Sequence, residues 1–178
     1  KDWVTLTPTK FTLAPKEQKI ITATIKIPKD AEPGGRYGTI LAGTDHSKDA
    51  VDGTGASVGQ KVGTLVLLRV QGVIAYKAYL KSFGATQKLY ASSPIEFSTR
   101  IHNESTVHIK PKGFITLVNL FGKKVADIPF DERNVLPASD RLLSTVSEAK
   151  LPIGRYTATL AVIYGDKNET LTAATSFI

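Results

Sequence analysis

Cysteine is absent from all 178 residues, which removes thiolate nucleophiles, cysteine-type zinc sites and redox chemistry together. A secreted eukaryotic protein of this size often carries disulfides, whereas a bacterial surface protein manages without them. No apolar run approaches the ~20 residues of a membrane-spanning helix. No charged-then-apolar leader opens the chain either; it begins at Lys1 directly with strand-like residues, as a mature fragment would. Histidine is scarce, limited to His46, His102 and His108. There is no His-Glu-x-x-His, no Gly-x-Ser-x-Gly and no phosphate-cradling Gly-x4-Gly-Lys-Ser/Thr. The chain therefore points to no catalytic residue, no metal centre and no cofactor.

The net charge of +7 raises the question of nucleic acid. Residues 1–72 contribute +3 and the remainder +4, so the excess is spread and not gathered into a stripe. No RNP-like motif, zinc module or recognition helix accompanies it, which argues against a nucleic-acid partner. A diffuse positive field suits work beside an anionic surface, such as a bacterial wall rich in teichoic acid or phospholipid.

Period-two alternation runs through the chain. Across Gln18–Pro28, Ile21, Ala23, Ile25 and Ile27 share one side. Ile95, Phe97 and Ile101 do so in Ile95–His102, with His102 on the outward phase beside Arg100. Tyr156, Ala158, Leu160 and Val162 mark a third strand; Leu171, Ala173 and Phe177 mark a fourth. Phe121-Gly122-Lys123-Lys124 and Gly165-Asp166-Lys167-Asn168 read as hairpin turns. Leu142–Lys150 is the best helix candidate, but its Ser, Thr and Val content disfavours helix.

A local pattern repeats. Leu13-Ala14-Pro15, Ile20–Ile27 and Pro33-Gly34-Gly35-Arg36-Tyr37 return as Leu136-Pro137-Ala138, Leu142–Val146 and Leu151-Pro152-Ile153-Gly154-Arg155-Tyr156. A Tyr opening a strand after a Pro/Gly turn is the pattern of a tyrosine corner, in which the phenol bonds back to the backbone. The expectation is an all-β chain of two tandem immunoglobulin-like Greek-key sandwiches, residues 1–72 and 73–178. The first supplies four or five strands where about seven are usual, so it is incomplete at its N-terminus or completed by strand addition from another chain. Tyr37 and Tyr156 are then structural. So is Trp3, the single tryptophan, packed at a domain edge.

Gly43–Gly59 is the most unusual stretch, too long for a tight hairpin. Asp45, His46, Asp49 and Asp52 make it a low-rank binding candidate. Three aspartates offer oxygens to calcium, yet the spacing is not that of an EF-hand and Lys48 opposes a cation. A solvated loop, a calcium site and a partner-binding loop (Thr44–Ser57) stay open as readings. Asn103-Glu-Ser and Asn168-Glu-Thr match the glycosylation sequon, and both also read as polar turns.

Trp3–Pro8, Phe11–Pro15 and Ile25–Tyr37 follow W-x4-P-x2-F-x-L-x-P and I-x-I-P-x-D-A-x-P-G-G-R-Y. These segments resemble the end of the first domain of Gram-positive WxL-interacting cell-surface proteins. Val135–Ser139 and Leu151–Tyr156 are similar to the domain that follows it there. The resemblance implies a peptidoglycan-associated first domain and a second that meets host or partner proteins. The membrane anchor of that family and the start of its first domain have no counterpart in the sequence. Leu6–Leu13 also resembles the approach to the exposed strand of periplasmic pilus chaperones. The resulting expectation is a non-catalytic module on a bacterial cell surface or wall, contacting cell-wall polymer or a surface protein. A strand-exchanging chaperone or filament subunit, and an accessory domain of a carbohydrate-processing enzyme, are the alternatives.

Overall fold

The computed structural model describes residues 3–44 and 60–178. Among the described residues the protein is all-β, about 55% strand, with no helix. In chain order the strands are β1 (Val4–Thr7), β2 (Thr22–Ile25), β3 (Gly34–Gly43), β4 (Lys61–Val70), β5 (Ala78–Ala85) and β6 (Ile95–Asn103). They continue as β7 (Lys112–Asn119), β8 (Lys124–Pro129), β9 (Ser139–Ser147), β10 (Tyr156–Tyr164) and β11 (Glu169–Phe177). All pairings are antiparallel.

From β5 onward two sheets enclose one core. One sheet has the order β5-β6-β9, the other β11-β10-β7-β8. The alternation read from the sequence sets the faces: Ile95, Phe97 and Ile101 of β6 are buried, as are Tyr156, Ala158, Leu160 and Val162 of β10. Phe177 closes the core, edge-on to Phe97 at 5.7 Å and stacked on Tyr156 at 5.8 Å between ring centroids. Such aromatic pairs add roughly 0.5–1.5 kcal/mol beyond the area they bury. The Tyr164 hydroxyl ties the sheets together, accepting from the Ala78 N–H at 3.1 Å. Beyond β11, the Ile178 N–H donates to the Lys88 carbonyl and its carbonyl accepts from Tyr90.

The two hairpins form at the predicted turns, with left-handed backbone at Gly122, Gly165 and Asn168. The Asn119 carboxamide oxygen accepts from the Phe121 and Lys123 N–H groups and so shapes the first. Leu142–Lys150 is no helix: β9 occupies most of it, paired with β6 and with Leu143, Thr145 and Ser147 alternating into the core.

Residues 3–70 differ. β1 pairs only with β2, and β3 only with β4. Of the described residues in this stretch, Gly34 alone is buried. The strand expected over Gln18–Pro28 shrinks to β2, and Ile20 is 86% exposed. The alternation there is present in the sequence, but among the described residues no sheet lies over it to take up the apolar side.

Candidate functional site

The β3–β4 ribbon is apolar on both faces. Its register sets Tyr37, Thr39 and Leu41 on one face with Leu65 and Leu67; Ile40 and Ala42 share the other with Val62, Val66 and Leu68. The run Leu65-Val66-Leu67-Leu68 is the mark of a strand covered on both sides. Yet Leu41, Val62 and Leu65 are 61%, 73% and 56% exposed. No strand is paired along the outer edge of either β3 or β4 among the described residues. The smaller β1–β2 ribbon carries Val4, Leu6, Ala23 and Ile25 on one side and four threonines on the other. Trp3 joins the two ribbons: its carbonyl accepts from the Lys26 N–H at 2.8 Å, and its ring lies under the Arg36 guanidinium at 5.7 Å. An isolated two-stranded ribbon is marginal in water.

One end of the ribbon is held against the core unit. The Gly35 N–H donates to the Thr106 carbonyl at 3.0 Å. The Tyr37 hydroxyl accepts from the His108 backbone N–H at 2.6 Å and lies 3.1 Å from His108 Nδ1. Arg69 grips Asp166 with both terminal guanidinium nitrogens and lies over the Tyr76 ring at 5.8 Å. Burial pushes the Tyr37 and Tyr76 hydroxyls up, and burial with the Arg69 charge pushes His108 down. The hydrogen bond from Arg69 holds the Asp166 carboxyl below the usual range.

Tyr37 thus bonds across 71 positions of sequence, not back along its own arch as a tyrosine corner would. A side chain on Gly35 would run into the Tyr37 ring, so glycine there is what lets the phenol lie flat toward His108. Tyr156 does bond locally, donating to the Pro152 carbonyl at 2.7 Å.

The segment presenting Thr106 and His108 is fixed by Asn103. Its carboxamide, fully buried, donates to the Val107 and Val135 carbonyls at 2.9 Å each and accepts from the Ser105 N–H at 2.9 Å. The Asn103-Glu-Ser sequon is therefore a core support, sealed from any modifying enzyme in the folded state.

A second polar cluster lies on the outer face of the β5-β6-β9 sheet. His102 and Lys81 both reach the Asp140 carboxylate, at 2.5 and 2.6 Å, and the Tyr79 ring lies 4.9 Å from that of His102. Lys81 first and His102 second hold the Asp140 carboxyl below its ordinary range. Among the described residues no hydroxyl is hydrogen-bonded to His102, and no cluster of three or more His, Asp or Glu is placed to grip a metal. Asp45, His46, Asp49 and Asp52, and the loop they belong to, lie outside the described residues.

The fold and these surfaces define an all-β protein with one closed unit and one open pair of ribbons. No family model matches the chain, and no curated protein matches it. Among solved structures it is similar to one described as the X-ray structure of Northeast Structural Genomics Consortium target SoR45. The two are 13% identical, with 59% of this chain and 84% of that chain covered and a TM-score of 0.30.

Proposed function

We propose that the chain is a non-catalytic binding or scaffolding module of a bacterial cell surface, made of two tandem immunoglobulin-like units, residues 1–72 and 73–178. For the second unit the support is its strand order. Sheets β5-β6-β9 and β11-β10-β7-β8 place the first, second and fifth strands opposite the third, fourth, sixth and seventh, a Greek-key arrangement. The first unit is a half-sandwich that binds a protein partner by accepting its strands. One observation carries this reading: a ten-residue ribbon, apolar on both faces, has no buried apolar side chain and no strand on its outer edges among the described residues. Main-chain pairing supplies affinity in such strand addition, and alternate side chains supply selectivity.

A wall-polymer ligand is the second reading. It is favoured by the net charge of +7 and by β1–β4 bearing Arg36 and Lys61, besides the Asp166-paired Arg69, with no acidic side chain.

Retention of the 178-residue chain on isolated Gram-positive walls separates the two. A protein partner predicts retention that is abolished by shaving the walls with protease and by a Leu41→Lys/Leu65→Lys variant, with amide exchange in β4 slowed in the bound state. A polymer ligand predicts retention that survives shaving and falls when teichoic acid is stripped. Absence of retention from every wall preparation would sink both readings, and β4 amides as protected as those of β6 in the free chain would sink the first.

A further inference from the structure

The junction between the ribbon and the core unit pairs two groups whose bonding depends on one proton. The Tyr37 oxygen accepts the His108 backbone N–H, so its own proton is free to be donated, and the atom within reach is His108 Nδ1 at 3.1 Å. That bond exists only while Nδ1 keeps its lone pair, in the neutral imidazole protonated on Nε2. In the imidazolium form Nδ1 carries a hydrogen. Two N–H groups of one residue then converge on a single phenol oxygen, and the phenol proton loses its acceptor.

The charges around His108 sharpen the effect. Arg69 of β4 approaches from the ribbon, tied to Asp166 in the β10–β11 turn and stacked on Tyr76. Tyr37 faces it from β3. On its own segment the nearest charge is Lys110, engaged with Glu132 at 3.0 Å. No carboxylate is hydrogen-bonded to the ring among the described residues, in contrast to His102, whose ring is bonded to Asp140. A proton added here is therefore met by a cation and by partial burial.

We infer that the Tyr37–His108 contact is an acid-weakened latch: at neutral pH it helps dock the β3–β4 ribbon on the core unit beside the Gly35–Thr106 and Arg69–Asp166 bonds, and protonation of His108 loosens the ribbon. Burial and Arg69 hold the docked imidazole below the ordinary histidine range. The docking contribution is thus complete above about pH 6.5, the unperturbed value, and is lost as pH falls through the lowered docked value. Each unit of separation between the docked and free values weakens docking about tenfold on acidification. The latch stands on contacts inside the chain and does not depend on what the open faces bind.

The absence of native cysteine makes the test direct. Nitroxides on Thr64→Cys in β4 and Thr157→Cys in β10, both exposed, report the distance between ribbon and core unit by pulsed electron resonance. His108 is titrated in parallel by nuclear magnetic resonance. A single narrow distance distribution is expected at pH 7.5, widening at pH 5.0 as His108 titrates. Tyr37→Phe, which loses both bonds, should be wide at both pH values. His108→Asn keeps a neutral acceptor near the Nδ1 position and should be narrow at both. A wild-type distribution that stays unchanged while His108 titrates overturns the latch. So does a pH response retained in His108→Asn, or a His108 titration at or above the ordinary value.

Discussion

Replacing Asn103 with Ala should be among the most damaging single changes to this chain. The side chain is fully buried and satisfies three backbone groups. The Val135 carbonyl keeps a second partner in the Ile109 N–H at 3.0 Å. Among the described residues the Val107 carbonyl and the Ser105 N–H have only Asn103. A buried group left unpaired costs about 1–3 kcal/mol, so two of them predict a loss of about 2–6 kcal/mol. For a unit of about a hundred residues, a loss near 4 kcal/mol lowers the melting temperature by roughly 15–30 °C. Calorimetry of the variant beside the wild type measures it. Asn103→Asp refines the test: its carboxylate can still accept from Ser105 but cannot donate to either carbonyl, so near neutral pH it should be at least as damaging as Ala. A loss below about 1 kcal/mol for Ala would refute the reasoning, since it would mean water replaces the carboxamide at no cost. Because Asn103 fixes the segment carrying Thr106 and His108, the folded fraction of either variant should also show a loosened ribbon.

Thr99 Oγ1 is buried without a hydrogen-bond partner, so Thr99→Val should stabilise the protein by about 1 kcal/mol, read as a higher urea midpoint at unchanged slope. Tyr156→Phe removes the bond to Pro152 while keeping the ring against Phe177; a loss of about 1 kcal/mol is expected from the same titration. Deleting Phe177 and Ile178 removes a core ring and two backbone bonds, and should cost at least about 3–5 kcal/mol, seen as loss of the cooperative melting transition at physiological temperature. The Asp140 carboxyl should titrate below the ordinary aspartate range by carbon-13 resonance. Its favourable pairing is intact above that range and is lost as pH falls through the lowered value. Lys81→Met should raise it, since Lys81 is the larger cause.

The inner faces of β6, β10 and β11 were legible because a two-residue period over a half-buried strand leaves little choice of face. Both hairpin turns were legible from their glycines. Tyr37 and Tyr156 show where local reading stops. Each follows a Pro/Gly turn and an arginine, yet Tyr156 bonds four residues back and Tyr37 bonds seventy-one residues ahead. The local sequence fixes where the phenol begins; the element packed beside it decides where the hydroxyl ends. In sequence Asn103 reads as a turn residue, because its acceptors, Val107 and Val135, are brought to it only by tertiary structure. Periodicity puts His102 on the outward phase of its strand, but its partner Asp140 is set by the β6–β9 register, which periodicity does not assign. The shortened β2 makes the complementary point: alternation announces a strand that something must cover, and says nothing of whether the cover is there.

The contact between β5 and β11 has a consequence for how the molecule is made. The first strand of the core unit lies against the last, and Ile178 stitches the segment around Lys88 and Tyr90. During synthesis from the N-terminus the core unit therefore cannot close until its final strand has left the ribosome. The ribbons emerge before it, with their apolar residues unburied. The ribbons are thus made before the unit they lean on can close, and for that interval their open edges are what a nascent-chain chaperone would meet.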